Sequence, residues 1–236
     1  MDEFNAELDR YESAMTSLNK TVAEKDAAVA VLDDLIAQTL LAQGARQAGF
    51  SVDAAAIQTR IDKLAGELGG AEQLSAWLQA HSYSDESFRA ALKRAVEAAW
   101  MRDKIISAVP NTAAQVHVRQ ILLYNQEAAD NYLVQLKEGA DFDELASQVD
   151  PVTRGDLGWF PQGYLLEPTV EEAAFALQVG QNSEVIASSV GFHIIKVIET
   201  QPDRLLSPDV LLSMQNRALS DWVTNQRQQG KIVLAP

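Results

Sequence analysis

Few side chains in this sequence can do chemistry, and the best placed of them fall between Gln120 and His193. No cysteine is present, which removes thiol catalysis, disulfides and thiolate metal sites together. The three histidines are His81, His117 and His193. His193 lies in Gly191-Phe192-His193-Ile194-Ile195-Lys196-Val197, where an imidazole can titrate near neutral pH or orient polar neighbours from a strand. A core histidine satisfied by hydrogen bonds has the same signature, and the two roles are compatible. Gln120 and His117 share the run Gln115–Tyr124, QVHVRQILLY. Their odd separation puts them on opposite faces of a regular strand. Glutamine donates and accepts hydrogen bonds but does not titrate near neutrality. For His117 an exposed strand position is favoured, and for His81 a helix end. Asp150, just before Pro151, reads either as a carboxylate polarising a nearby site or as a turn residue.

The elements that must hold these residues change character at Pro110. Before it, apolar residues recur at spacings of three and four: Phe4, Leu8, Tyr11, Met15 and Leu18, then Val29, Leu32, Leu35, Ile36, Leu40 and Leu41. Gly49 should stop the second helix, and Ser51 offers an N-cap to a third carrying Ile57, Ile61, Leu64 and Leu68. A short helix around Leu74, Trp77 and Leu78 follows, then one opened by Ser84-Asp85-Glu86-Ser87. Five helices with short connections predict a bundle or an open cradle.

After Pro110 the order is strand, helix 128–138, helix 142–148, a loop with a short strand near Leu157, helix 171–177, and strands 184–186 and 192–199. That order predicts a compact α+β domain. Residues 205–229 return to helical spacing, Gly230 ends that helix, and 231–234 read as a short strand. One isolated helix needs a partner for its apolar stripe. The α+β unit is therefore expected over 113–200 as an insertion, with 1–110 and 201–236 packing together as an all-α domain.

Composition narrows the function classes. Asp and Glu number 33 against 19 Lys and Arg, a formal net charge of −14. Phosphate backbones demand dense positive charge, so nucleic acid is not an expected partner. An acidic surface is also repelled by anionic headgroups. No apolar run approaches a membrane span by eye. Met1-Asp2-Glu3-Phe4 already falls in a helical pattern with no secretory signal before it, as in a processed or truncated chain.

Three segments carry a family resemblance. Arg154-Gly155-Asp156-Leu157-Gly158-Trp159-Phe160, then Glu171-Glu172-Ala173-Ala174-Phe175-Ala176-Leu177, then the stretch around His193, resemble in order and spacing the signature of parvulin-type peptidyl-prolyl isomerases. The flanking helices look like the chaperone parts of SurA- and PrsA-type foldases. The resemblance implies a four-stranded antiparallel sheet with helices, binding an X–Pro segment in an apolar cleft without metal or cofactor. It makes His193, Gln120 and Asp150 the candidate catalytic residues, and Leu157, Leu166 (or Leu165), Val170 and Phe175 the candidate proline pocket. It implies unfolded, proline-containing polypeptides as partners, a location outside the cytoplasm, and a membrane tether outside this sequence.

Two departures qualify it. Parvulins usually carry His-Ile-Leu where this chain has Gln120-Ile121-Leu122, and an aromatic where Val170 stands. The basic cluster of phospho-specific members is replaced by Tyr124-Asn125-Gln126-Glu127, so phosphopeptides are not expected ligands. Three functions stay open: an active isomerase within a foldase, a holdase whose parvulin-like domain only binds peptide, and, less favoured, an assembly or scaffold module whose helical cleft takes one partner.

Overall fold

Three-and-four spacing before Pro110 becomes helix throughout. The computed structural model describes residues 2–230, and the strand expected over 231–234 lies outside them. The helical part comprises α1 (Asp2–Ser17), α2 (Glu24–Gln47), α3 (Ala54–Leu68), α4 (Ala71–Ala80) and α5 (Asp85–Ser107). Val52, Ile57, Ile61, Leu74 and Phe88 form one buried cluster, with Trp77, Tyr83 and Leu92 packed on it. Asp53, not Ser51, caps α3, its carboxylate accepting from the Ala56 N–H at 2.7 Å. Ser51 instead donates to Glu97, a fully buried glutamate on α5 that also pairs with Arg46. Ser84 and Ser87 exchange hydrogen bonds in a capping box that opens α5.

Among the described residues α2 alone has the length and apolar character to cross a membrane, with a mean hydropathy of 1.2 over its best window. That departs from the expectation above. Part of the helix is buried, at Ala27, Val31, Leu41, Ala42 and Ala45, and Asp33 accepts from Arg227 at 2.9 Å.

β-branched and alternating segments form the second part. Its elements are β1 (Thr112–Leu123), α6 (Gln126–Lys137), α7 (Phe142–Val149), β2 (Asp156–Pro161), α8 (Pro168–Ala176), β3 (Ile186–Ala187) and β4 (Phe192–Leu205). The four strands make one antiparallel sheet in the order β2-β1-β4-β3. Val116, Val118, Phe160, Val170, Ala174, Ile195 and Val197 fill one buried cluster. Ile121, Leu136, Phe142, Leu145, Ala146 and Ile194 fill another. Alternate strand positions feed the two clusters, as the two-residue period of a strand requires: Ile195 and Val197 enter one, Ile194 the other.

Helix α9 (Pro208–Gln229) follows β4. Backbone contacts divide the chain into two compact units, 109–216 and the combination of 1–108 with 217 onward. Within the helical unit, Trp222 comes so close to α2 that a Cβ on Gly44 would lie 2.6 Å from its ring. Only glycine leaves room for the indole there.

Candidate functional site

Strand register brings His193 and Gln120 together. Gln120 pairs with Ile195 across β1 and β4, and His193 pairs with Leu122, so the two polar residues are diagonal neighbours on one face. His193 Nδ1 and Gln120 Oε1 are 2.9 Å apart. An amide oxygen can only accept, so the imidazole carries its proton on Nδ1. Nε2, left with a lone pair, accepts from the Ser188 hydroxyl at 2.7 Å. His193 is 4% exposed, and burial pushes its pKa below the ordinary value, while the charge of Glu167 acts in the opposite sense. A neutral imidazole held between an amide and a hydroxyl results.

The loop before β2 fixes Gln120 from its backbone. The Gln120 N–H donates to Gly155 O at 2.8 Å. Gly155 has φ +70°, and a Cβ there would lie 1.9 Å from the Gln120 carbonyl oxygen. No other residue fits both the conformation and the approach. Asp150 shapes the same loop. Its carboxylate accepts from the Val152 and Thr153 N–H groups at 3.0 and 3.1 Å, and from the Thr153 hydroxyl. The Thr153 hydroxyl first, then these amides, hold its pKa below the usual value. The structure thus joins Gln120 to His193, and it turns the Asp150 carboxylate into its own turn.

Beside this polar group lies an apolar wall. Val170 is buried in the cluster with Phe160 and Ala174, and Leu157, Leu165 and Phe175 are partly buried against it. The Phe175 ring meets Phe160 edge-on, with centroids 6.2 Å apart. Leu166 is placed differently: its side chain is 95% exposed, and Leu165 takes the packed position. The cause is Glu171, whose carboxylate accepts from the N–H groups of Gly163, Tyr164 and Leu165 at 2.6, 2.9 and 2.9 Å. That clamp sets which leucine turns inward.

His117 has a partner of its own. Its Nε2 lies 2.8 Å from Asp156 Oδ1, and its ring stacks on Trp159 at 5.5 Å. Burial pushes the Asp156 carboxyl up, but the Gly158 N–H and His117 outweigh it and keep the group below its ordinary value. Bulges after His117 and after Val118 break the simple alternation of β1 at this point. His81 bonds Trp77 O at 2.7 Å and stacks on the Trp77 ring, as a helix-end residue does.

Comparison with known proteins agrees with this geometry. Residues 104–201 match the family described as PPIC-type PPIASE domain, and residues 1–102 match the SurA-like N-terminal domain. Residues 104–201 are a parvulin-type domain. The foldase protein PrsA of Halalkalibacterium halodurans is 41% identical over 90 residues, covering 36% of this chain and 27% of that protein. The chaperone SurA of Thiobacillus denitrificans is 32% identical over 146 residues, covering 53% of this chain and 33% of its own length. The matched stretches thus span well under two thirds of these relatives. The crystal structure of the peptidylprolyl isomerase PrsA from Bacillus cereus shares the fold, with a TM-score of 0.54 at 20% identity over 92% of each chain.

Within the parvulin domain, three residues escaped the sequence reading. Ser188 supplies the second hydrogen bond of His193. Glu171 clamps the 163–165 backbone, and Glu167 reaches Ser189 across a gap of 22 positions. Ser188 carried one weak signal, its place just before the turn into the His193 motif. Glu171 opens one of the segments that carry the resemblance but read there as a solvated helix acid, and Glu167 carried no signal.

Proposed function

We propose that the chain is an extracytoplasmic folding factor that binds unfolded polypeptides and speeds cis–trans isomerisation of X–Pro bonds. The observation that carries this reading is the Gln120–His193–Ser188 group beside the wall of Val170, Leu157, Leu165 and Phe175. The barrier to rotation about an X–Pro bond is about 18–20 kcal/mol, and crossing it breaks amide resonance but no covalent bond. A catalyst therefore needs no nucleophile. It needs an apolar seat for the ring and polar groups that favour the twisted amide over the planar one. The twisted nitrogen becomes pyramidal and can accept a hydrogen bond, and the carbonyl loses conjugation. A buried, neutral imidazole with movable neighbours suits that environment without a metal or cofactor.

Family habit supports a place outside the cytoplasm and a broad range of proline-containing clients. The sequence between β1 and α6 has no Lys or Arg to receive a phosphate, so unphosphorylated segments are the proposed ligands. Purified protein should accelerate the slow phase of a proline-limited refolding reaction. A rate equal to buffer alone, with a working control isomerase, would sink the reading.

One observation favours a second reading, a holdase that binds without catalysis. Gln120 stands where the family has histidine, and the Asp150 carboxylate is occupied by its own turn. Gln120→His separates the two. A rise in isomerase rate above wild type identifies a weakened site, whereas a good basal rate that does not change shows that the amide suffices.

A further inference from the structure

The Ser188 hydroxyl can serve His193 only if the turn from Ser188 to Gly191 is held in place. Within the turn, the Ser188 N–H donates to Gly191 O at 2.8 Å, and the Val190 N–H donates to Ser188 Oγ at 3.1 Å. The two-residue strand β3 is a weak anchor for it. The stronger tie comes from the start of α8. Glu167 occupies the N-cap position of that helix ahead of Pro168, yet its side chain makes no bond to its own helix. Its carboxylate extends to the turn, accepting from the Ser189 hydroxyl and from the Ser189 N–H at 3.3 Å. Ser189 is the immediate chain neighbour of Ser188, so the carboxylate is anchored one residue from the hydroxyl that serves His193. Thr169 Oγ1 donates to Ala187 O at 3.5 Å beside it.

We propose that Glu167 is a positioning residue for the His193 centre, acting through Ser189 and Ser188 rather than on the peptide. The inference deepens the isomerase reading and rests on it. With the imidazole neutral, the Ser188 hydroxyl points its proton at Nε2. When a proton settles on Nε2, that bond must reverse: Nε2–H donates to Ser188 Oγ, and the hydroxyl proton needs a new acceptor. In the proposed arrangement the Glu167 carboxylate, held on the adjoining Ser189, takes that proton's hydrogen bond, and its negative charge favours the protonated ring. Among the described residues, no other charge is seen acting on His193. Strand β1 presents the Gln120 amide, β3 pairs through Ile186, and the turn presents Ser188. Glu167 is the charged group acting on the ring. In the proposed arrangement one acid sets both the geometry of the second hydrogen bond and the ease with which it reverses.

The test uses the full chain as Glu167→Gln, which keeps an acceptor for Ser189 but removes the charge, and as Ser189→Ala, which removes the hydroxyl half of the tie but keeps the backbone N–H bond and the charge. Both are read by isomerase kinetics and by ¹⁵N NMR of the His193 ring. Each should lower kcat about three- to tenfold, the worth of one positioned hydrogen bond, with KM little changed. Glu167→Gln should also move the His193 titration to lower pH, and Ser189→Ala should weaken the signature of the Nδ1–H form. A merely structural role would lower the melting temperature and leave the ring titration in place, and that result would overturn the proposal. So would unchanged ring signals in both variants. The NMR arm does not depend on turnover, so a wild-type protein without isomerase activity would remove the functional reading while still deciding whether Glu167 governs the imidazole.

Discussion

Each compact unit keeps a titratable side chain in its interior, and the two are treated in opposite ways. Glu97 in the helical unit is 0% exposed and meets the Arg46 guanidinium, the Ser51 hydroxyl and, at 3.9 Å, the Lys93 ammonium. His193 in the α+β unit is 4% exposed and meets an amide and a hydroxyl, both neutral. A guanidinium only donates and a carboxylate facing it only accepts, so the hydrogen bonds of the first pair run in one direction. Amide and hydroxyl partners can each donate or accept, so the second can reverse its hydrogen bonds at small cost. Burial with fixed charges builds a joint between helices, and burial with reversible dipoles builds a site.

The comparison can be broken most forcefully at Glu97. Glu97→Ala should destabilise the helical unit by about 3 kcal/mol, the lower end for breaking a buried pair because Arg46 is itself about half exposed and can rehydrate. Urea unfolding followed through the tryptophans would show it, while isomerase activity at low denaturant should be retained. His193→Ala should do the reverse. A loss of about a hundredfold in kcat/KM is expected from removing one preorganised polar group, with a smaller change in melting temperature. If Glu97→Ala silenced turnover in folded protein, the division of labour drawn above would be wrong.

Gly155→Ala probes what the His193 site needs from the backbone. The left-handed conformation alone costs a non-glycine residue about 1–3 kcal/mol, and the new Cβ would push on the Gln120 carbonyl. Stability and activity should fall together, measured by melting and by refolding kinetics on one sample.

The smallest effect is the pH dependence of stability. Burial lowers the pKa of His193 in the folded state, so the unfolded chain takes up that proton first. The resulting stabilisation is fully present above about pH 6.5 and is lost as pH falls through the unfolded value toward the folded one. Asp150, Asp156 and Glu167 are held low and give up their contributions only further down, around and below pH ~4. Unfolding free energy should therefore decline as pH falls below about 6.5 in wild type, ahead of the carboxylate region, and that slope should flatten in His193→Ala.

Much of this molecule is visible in its sequence. The stripes at three and four positions became α1 to α5, and the strand–helix order after Pro110 reappears in the sheet unit. Within the site, His193 and Gln120 were nameable because the motifs around them resemble the parvulin signature. Leu166 and its alternative Leu165 could not be told apart in the sequence, since in a loop no period says which of two adjacent leucines packs inward; here Leu165 does, and Leu166 stays exposed. His117 was read as an exposed strand residue, but Asp156 and Trp159 engage it from β2, and the bulges on either side of Val118 interrupt the alternation.

What the sequence determined by itself is the local grammar: helix against strand, the break at Pro110, and the order of motifs from Arg154 to His193. Those follow from short-range sterics and from apolar periodicity, which act within a few residues. Only the tertiary structure decided the partners. Gln120 bonds a histidine 73 positions away, Arg46 a glutamate 51 away, and Glu167 a serine 22 away. Such pairings depend on which elements the cores bring alongside one another, and a polar side chain carries no sequence mark of the group it will meet.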